Sequence, residues 1–293
     1  MWILFALITS IVNAFYYLSI QNAKINANVF MVYRGFLVVL MLLPVIVFFP
    51  VKFNFVFYLM SILQGIIVAY TDYLCFRINK NYGSETVSSI TPLTVVIVFL
   101  LWCFISPDTV LNYLNQPLKT FFIICALLGV VWALLNYRKT PLTKKAFVLL
   151  IPVLFLSSAT SILNKLIMTH SGENPLLSAC WRVFILSTII GIVHMSIYVK
   201  KKLPLKELID IKMLYKGKVF ILLIVALVCK SLAMLYTQNP AYVSCIVYLT
   251  SIWIMILSST FAIFKFKKQQ KQVQKKYEIL FIVSIIMLIL ATH

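Results

Sequence analysis

Apolar residues fall along this chain in ten stretches separated by short polar connections. A hydrocarbon core of roughly 30 Å takes about 20 such residues in a helix. The stretches run near 2–20, 29–49, 55–76, 84–105, 118–137, 146–168, 176–199, 219–238, 240–264 and 277–292. Within each one, apolar residues lie on all sides rather than at every second position. That pattern predicts helices and argues against a membrane β-barrel. The expected fold is an all-α integral membrane protein with ten transmembrane helices, numbered here as spans 1 to 10.

The spans read as two matching sets of five, residues 1–140 and 141–293. Val32-Tyr33-Arg34-Gly35-Phe36 in span 2 answers Cys180-Trp181-Arg182-Val183-Phe184 in span 7. The turn Asn79-Lys80-Asn81-Tyr82-Gly83-Ser84, leading to Ser88-Ser89-Ile90-Thr91-Pro92, answers Gln238-Asn239-Pro240-Ala241 and Val247-Tyr248-Leu249-Thr250-Ser251. Five is odd, so the second set enters the membrane from the other face. Two inverted five-helix repeats are the expectation, an arrangement that lets one set of contacts close either side of a central site.

Composition supports the membrane reading: 62% of the chain is hydrophobic and 11% charged, against about 25% charged in soluble domains. The net charge of +19 would suggest nucleic acid in a soluble protein, but its placement points elsewhere. Lys24, Arg77, Lys80, Arg138, Lys139, the lysines from Lys200 to Lys218 and those from Lys265 to Lys276 sit in odd-numbered connections. Even-numbered ones carry Lys52 and Lys119 beside the acidic Asp108 and Glu173. Basic loops face the cytoplasm, which puts both termini outside and leaves the charge to anionic lipid headgroups rather than nucleic acid. Span 1 lacks a basic leader and a small-x-small cleavage site, so it reads as a retained helix. The six cysteines and three histidines are scattered, which predicts no metal, disulfide framework or cofactor.

A short polar turn after an apolar helix, small residues opening the next, Thr91-Pro92, and an Arg early in span 2 together resemble the drug/metabolite transporter superfamily. The likeness is to its EamA-like ten-helix permeases, and it extends over the whole chain. It implies a carrier whose spans 3 and 8 line a central cavity. Two features depart from that family. Ser251 stands where the second copy often carries proline, and the charge bias puts the termini outside rather than in the cytoplasm.

Charged groups inside a bilayer cost about 2.5–3.5 kcal/mol each on insertion scales and are functional candidates by default. Arg34 and Arg182, at matched positions in spans 2 and 7, suit paired gates or structural anchors. Lys165 is expected to snorkel, and Glu85 to sit at a helix N-terminus. Asp72 in span 3 and Lys230 in span 8 are near-equivalents that either pair with each other or meet a charged substrate or proton. Polar stripes at helical spacing predict a wet cavity: Ser10, Asn13, Tyr17 and Gln21; Ser84, Ser88 and Thr91; Ser157, Ser161 and Asn164; Ser244, Tyr248 and Ser251. Pro92 would break a backbone hydrogen bond and bend its helix. Tyr113, Tyr137, Tyr198, Tyr215 and Tyr277 read as an interfacial belt. The small-residue pairs Gly129/Ala133 and Ser258/Ala262 suit close helix contacts within one chain or across a homodimer.

The function expected from this pattern is secondary transport by alternating access. The chain would move an amino acid, amine or nucleotide derivative as a proton-coupled carrier or an exchanger. No G-x-x-x-x-G-K-[ST] occurs for ATP hydrolysis, and the seven acids are too dispersed for a membrane enzyme. A lipid-handling or partner subunit is the alternative, and a bacterial inner membrane the expected location.

Overall fold

The computed structural model describes residues 1–21, 27–51, 54–82, 92–136, 144–202, 217–262 and 272–292, and the chain in these segments is helical without strands. Ser84, Glu85, Ser88, Thr91, Tyr137 and Tyr215 lie outside the described residues. The helices are α1 (Trp2–Gln21), α2 (Ala27–Phe48), α3 (Phe55–Tyr82), α4 (Leu93–Ile105), α5 (Pro107–Asn115), α6 (Pro117–Asn136), α7 (Lys144–Thr169), α8 (Pro175–Lys200), α9 (Lys218–Tyr236), α10 (Pro240–Val247), α11 (Thr250–Ala262) and α12 (Gln272–Thr292).

Among the described residues six helices are long and apolar enough to cross a bilayer: α1, α2, α3, α7, α8 and α9. The pair α4 and α5 reaches that length together but bends by 102° at Ser106. This establishes a multi-pass membrane protein and falls short of ten separate spans. Among the described residues, Pro117–Ala133 in α6 and Pro240–Ile254, across α10 and the start of α11, are shorter apolar helices. Span 9 is interrupted at Tyr248 and Leu249, between α10 and α11. Helix α12 starts ahead of span 10, with Lys275, Lys276 and Glu278 in its first two turns. Of span 4 only the part after Thr91 is described. The sequence also placed a polar turn at Asn79–Tyr82, yet α3 continues as helix through Tyr82.

Contacts divide the chain into two compact units. The first comprises Met1–Phe76 and Leu163–Tyr236, the second Arg77–Ile162 and Thr237–His293. Each draws on both sequence halves, so grouping by contact follows different lines from grouping by repeat.

In the first unit, α2 and α8 pack most intimately. Gly35 lies so close to Gly191 that a Cβ on Gly35 would collide with the Gly191 backbone, the close approach that small residues permit between membrane helices. The Trp181 indole donates to the Phe49 carbonyl at 3.4 Å, which sets the start of α8 against the end of α2 and makes the pair antiparallel. Helices α3 and α8 run parallel: Gln64 meets Arg182, Gly65 meets Ile189, and the Lys201 ammonium lies 5.3 Å from the centre of the Tyr73 ring. Ala69, Leu186 and Ile190 form a small apolar cluster between these levels. A larger one, including Phe30, Val38, Leu42, Val183, Phe220 and Leu232, joins α2, α8 and α9.

In the second unit α6 packs on α12, where a Cβ on Gly129 would strike the Ser284 side chain. The Gly129 contact is therefore made within one chain. Helix α10 begins where the Asn239 side chain accepts from the Ala241 amide at 2.9 Å, with Pro240 in the first turn. That cap and a proline whose missing N–H costs nothing there end one helix and start another over three residues.

Candidate functional site

Two arginines divide the interior of the first unit into polar levels about 12 Å apart along α3, the rise between Gln64 and Asp72. At one level Arg34 Nη1 donates to Asp72 Oδ2 at 2.5 Å, tying α2 to α3. Their side chains are 14% and 25% exposed. A charge-assisted bond of this length is among the stronger hydrogen bonds available to a protein. Of the two alternatives for Asp72, pairing with Lys230 is not the one found: among the described residues its partner is Arg34.

At the other level Arg182 is 2% exposed. Its Nε donates to Ser231 Oγ at 3.0 Å, Nη1 to Gln64 Oε1 at 2.6 Å and Nη2 to the Leu227 carbonyl at 3.4 Å. All three acceptors are neutral, so the guanidinium is held in direction while its charge stays uncancelled. Ser231 returns its own proton to Leu227 at 2.7 Å, which leaves its oxygen lone pairs turned to Arg182. Lys230 precedes Ser231 on α9, is half-buried, and lies close enough to Arg182 for their charges to interact. A third cation, Lys165, is buried rather than snorkelling. Its ammonium donates to the Leu235 carbonyl at 2.9 Å, one residue before α9 ends. Carbonyls at a helix C-terminus lack intrahelical partners and carry partial negative charge, so a lysine suits them.

Other buried polar atoms have no hydrogen-bond partner among the described residues, including Ser61 Oγ, Asn164 Oδ1 and both ring nitrogens of His194. Ser61 sits one turn before Gln64 on α3. His194 lies on α8 one turn beyond Ile190, beside the Ala69 backbone.

The second unit holds a different polar arrangement, built without charge. The Tyr113 and Tyr242 hydroxyls are 2.6 Å apart, Asn239 Nδ2 donates to Tyr113 Oη at 3.1 Å, and Phe99 stacks on Tyr113 with centroids 5.5 Å apart. Tyr248 and Thr94 share a hydroxyl hydrogen bond of 2.6 Å, and Ser158 donates to its own Leu154 carbonyl at 2.8 Å.

Of the residues expected to line a cavity, Asp72, Asn164 and Lys230 belong to the first unit, with Arg34 and Arg182; Ser161 and Tyr248 belong to the second. Asn13 is half-buried and Tyr17 is 53% exposed on α1. Ser88 and Thr91 are outside the described residues, and Pro92, with helical φ −59° and ψ −26°, stands at the start of the described part of α4. The stripe Ser244, Tyr248 and Ser251 is split by the break before α11, and Ser244 bonds back to Pro240. Two tyrosines assigned to the interfacial belt act otherwise: Tyr198 is buried, and Tyr113 is the centre of a hydroxyl network. Gln64 and Ser231 were missed, and Asn239 was read only as part of a repeated turn. A lone Gln in an apolar helix is a detectable signal, whereas Ser231 is one serine among many. Compared with known proteins, this chain matches no family model and no curated relative.

Proposed function

We propose that this protein is a secondary transporter that moves a small organic metabolite across a membrane by alternating access. The observation that supports this most is the pair of charged levels in one helical unit, separated by Gly65, Ala69, Leu186 and Ile190. Buried ion pairs seldom add net stability over well-packed apolar side chains, and intramembrane charges are kept where something is bound or moved. An apolar layer between two polar ones is the arrangement a carrier needs to be wet on one side at a time.

In this reading the ten apolar stretches are ten spans in two inverted repeats, with the basic loops in the cytoplasm of a bacterial inner membrane. The Arg34–Asp72 pair closes the side nearer the loop after α3, and the level of Arg182 and Lys230 receives the substrate from the other. Closure at Arg34–Asp72 breaks and reforms during each cycle, driven by a proton gradient or by exchange of one metabolite for another. No step requires a catalytic residue or cofactor.

The test is counterflow in proteoliposomes. Vesicles preloaded with amino acids, amines or nucleotide derivatives are diluted into trace label of the same compound. Saturable accumulation for one chemical class, above protein-free vesicles, is the expected result. No accumulation of any class by well-folded protein would overturn the reading. Thermal stability in detergent narrows the panel first, since a ligand at about 100 times its Kd adds roughly 2.7 kcal/mol to the folded state.

A further inference from the structure

We infer that Arg182 and Lys230 form a binding site for the anionic group, carboxylate or phosphate, of the transported molecule. The inference rests on the transporter reading and names the substrate class for it. A guanidinium carries five N–H donors; three are used, all on neutral oxygens. Among the described residues no carboxylate pairs with Arg182 or Lys230, and the ion pair found is Arg34–Asp72. The remaining acids that are described, Asp108, Glu173 and Glu278, lie in α5, in the turn before α8 and in α12. The charge at Arg182 therefore has no counterion among the described residues.

Direction is supplied as well as charge. Gln64 and Ser231 grip Arg182 from α3 and α9, fixing the plane of its fork, and a fixed planar fork matches the two oxygens of a carboxylate or phosphate. Lys230 contributes a compact charge beside it and makes no hydrogen bond with the described residues. It is also the more accessible of the two, so an arriving anion meets its ammonium first. Ser61, buried without a partner one turn before Gln64, adds a hydroxyl on the same side of α3. Oppositely charged ligand is the group that completes this level. A cation or neutral amine would leave both charges uncompensated.

The experiment uses the full chain in detergent and in nanodiscs. Thermal unfolding is followed with inorganic phosphate or succinate against chloride at equal ionic strength. Expected is saturable protection by one of the two anions. Lys230→Gln should weaken it by about tenfold or more, equivalent to about 1.4 kcal/mol. Lys230→Arg should restore most of it, and Lys119→Gln, on α6, should leave it unchanged. Nanodiscs of phosphatidylcholine alone and with phosphatidylglycerol identify the source of the anion. Competition by phosphatidylglycerol, lost in Lys230→Gln, would support the site with a lipid headgroup as its occupant; indifference to lipid would support a soluble metabolite. Unsaturable protection, or equal protection in wild type and Lys230→Gln, would overturn it. If Lys230→Gln fails to fold, protection of the wild type by a neutral analogue such as glycerol equal to that by phosphate and succinate does the same. Anion binding without counterflow sinks the transporter reading and leaves the site. Counterflow whose anion preference survives in Lys230→Gln sinks the site and leaves the transporter.

Discussion

Arg34 and Arg182 are both anchored to α3, the first by Asp72 and the second by Gln64. Their surroundings differ in one chemical respect. A carboxylate both orients a guanidinium and cancels its charge; an amide carbonyl orients without cancelling. The Arg34 level is consequently neutral as a whole and accounts for itself as a clasp between α2 and α3. The Arg182 level keeps net positive charge although Arg182 is the more deeply buried arginine. Burial with the fork held in place and no counterion among the described residues is a poor way to build a clasp and a good way to hold a receptor for an anion.

This contrast can be broken most severely at the clasp. Asp72→Leu leaves the Arg34 charge unbalanced, which costs 3–5 kcal/mol for fully buried pairs; allowing for partial exposure, about 2 kcal/mol is expected here. Unfolding in mixed detergent reads the loss, and Arg34→Met with Asp72→Leu should recover most of it. A single variant as stable as wild type would show that the pair is no clasp. Gln64→Glu sharpens the contrast by giving Arg182 the counterion it lacks. A charge-assisted bond in place of a neutral one should raise stability by about 1 kcal/mol, while anion protection falls. Stability and protection rising together would contradict a receptor role. Ser231→Ala should have the smallest effect, a loss of about 1 kcal/mol or less, because Gln64 and Leu227 still hold the guanidinium.

Much of the helical architecture was legible because an apolar run of sufficient length has few alternatives in a polypeptide. Spans 1, 2, 3, 6, 7 and 8 correspond to helices able to cross a bilayer. Interruptions were harder to see. The break at Tyr248–Leu249 has no proline or glycine to announce it, and the start of α10 depends on the Asn239 side chain reaching a backbone amide. The candidate site was legible in its charged members and not in its pairings. Hydropathy marks Arg34, Asp72, Arg182 and Lys230 as exceptional, but partners are fixed by which helices pack. The repeat made Asp72 and Lys230 near-equivalents and left their pairing as one alternative; the close approach of α2 to α8 at Gly35 and Gly191, with α3 alongside, brings Arg34 to Asp72. Tyr113 misled for a related reason, since a tyrosine near the end of an apolar run looks the same whether its hydroxyl meets headgroups or Tyr242.

Helix α9 supplies the acceptors for two cations that precede it in the chain: Leu235 for Lys165, and Ser231 and Leu227 for Arg182. Synthesis runs from the N-terminus, so α7 and α8 are made while those oxygens do not yet exist. Each helix meets the lipid with a charge that has lost water and not yet found its acceptor on α9, at the insertion cost of roughly 2.5–3.5 kcal/mol. Arrival of α9 relieves both at once, which makes the first unit a structure sealed by its last-born element.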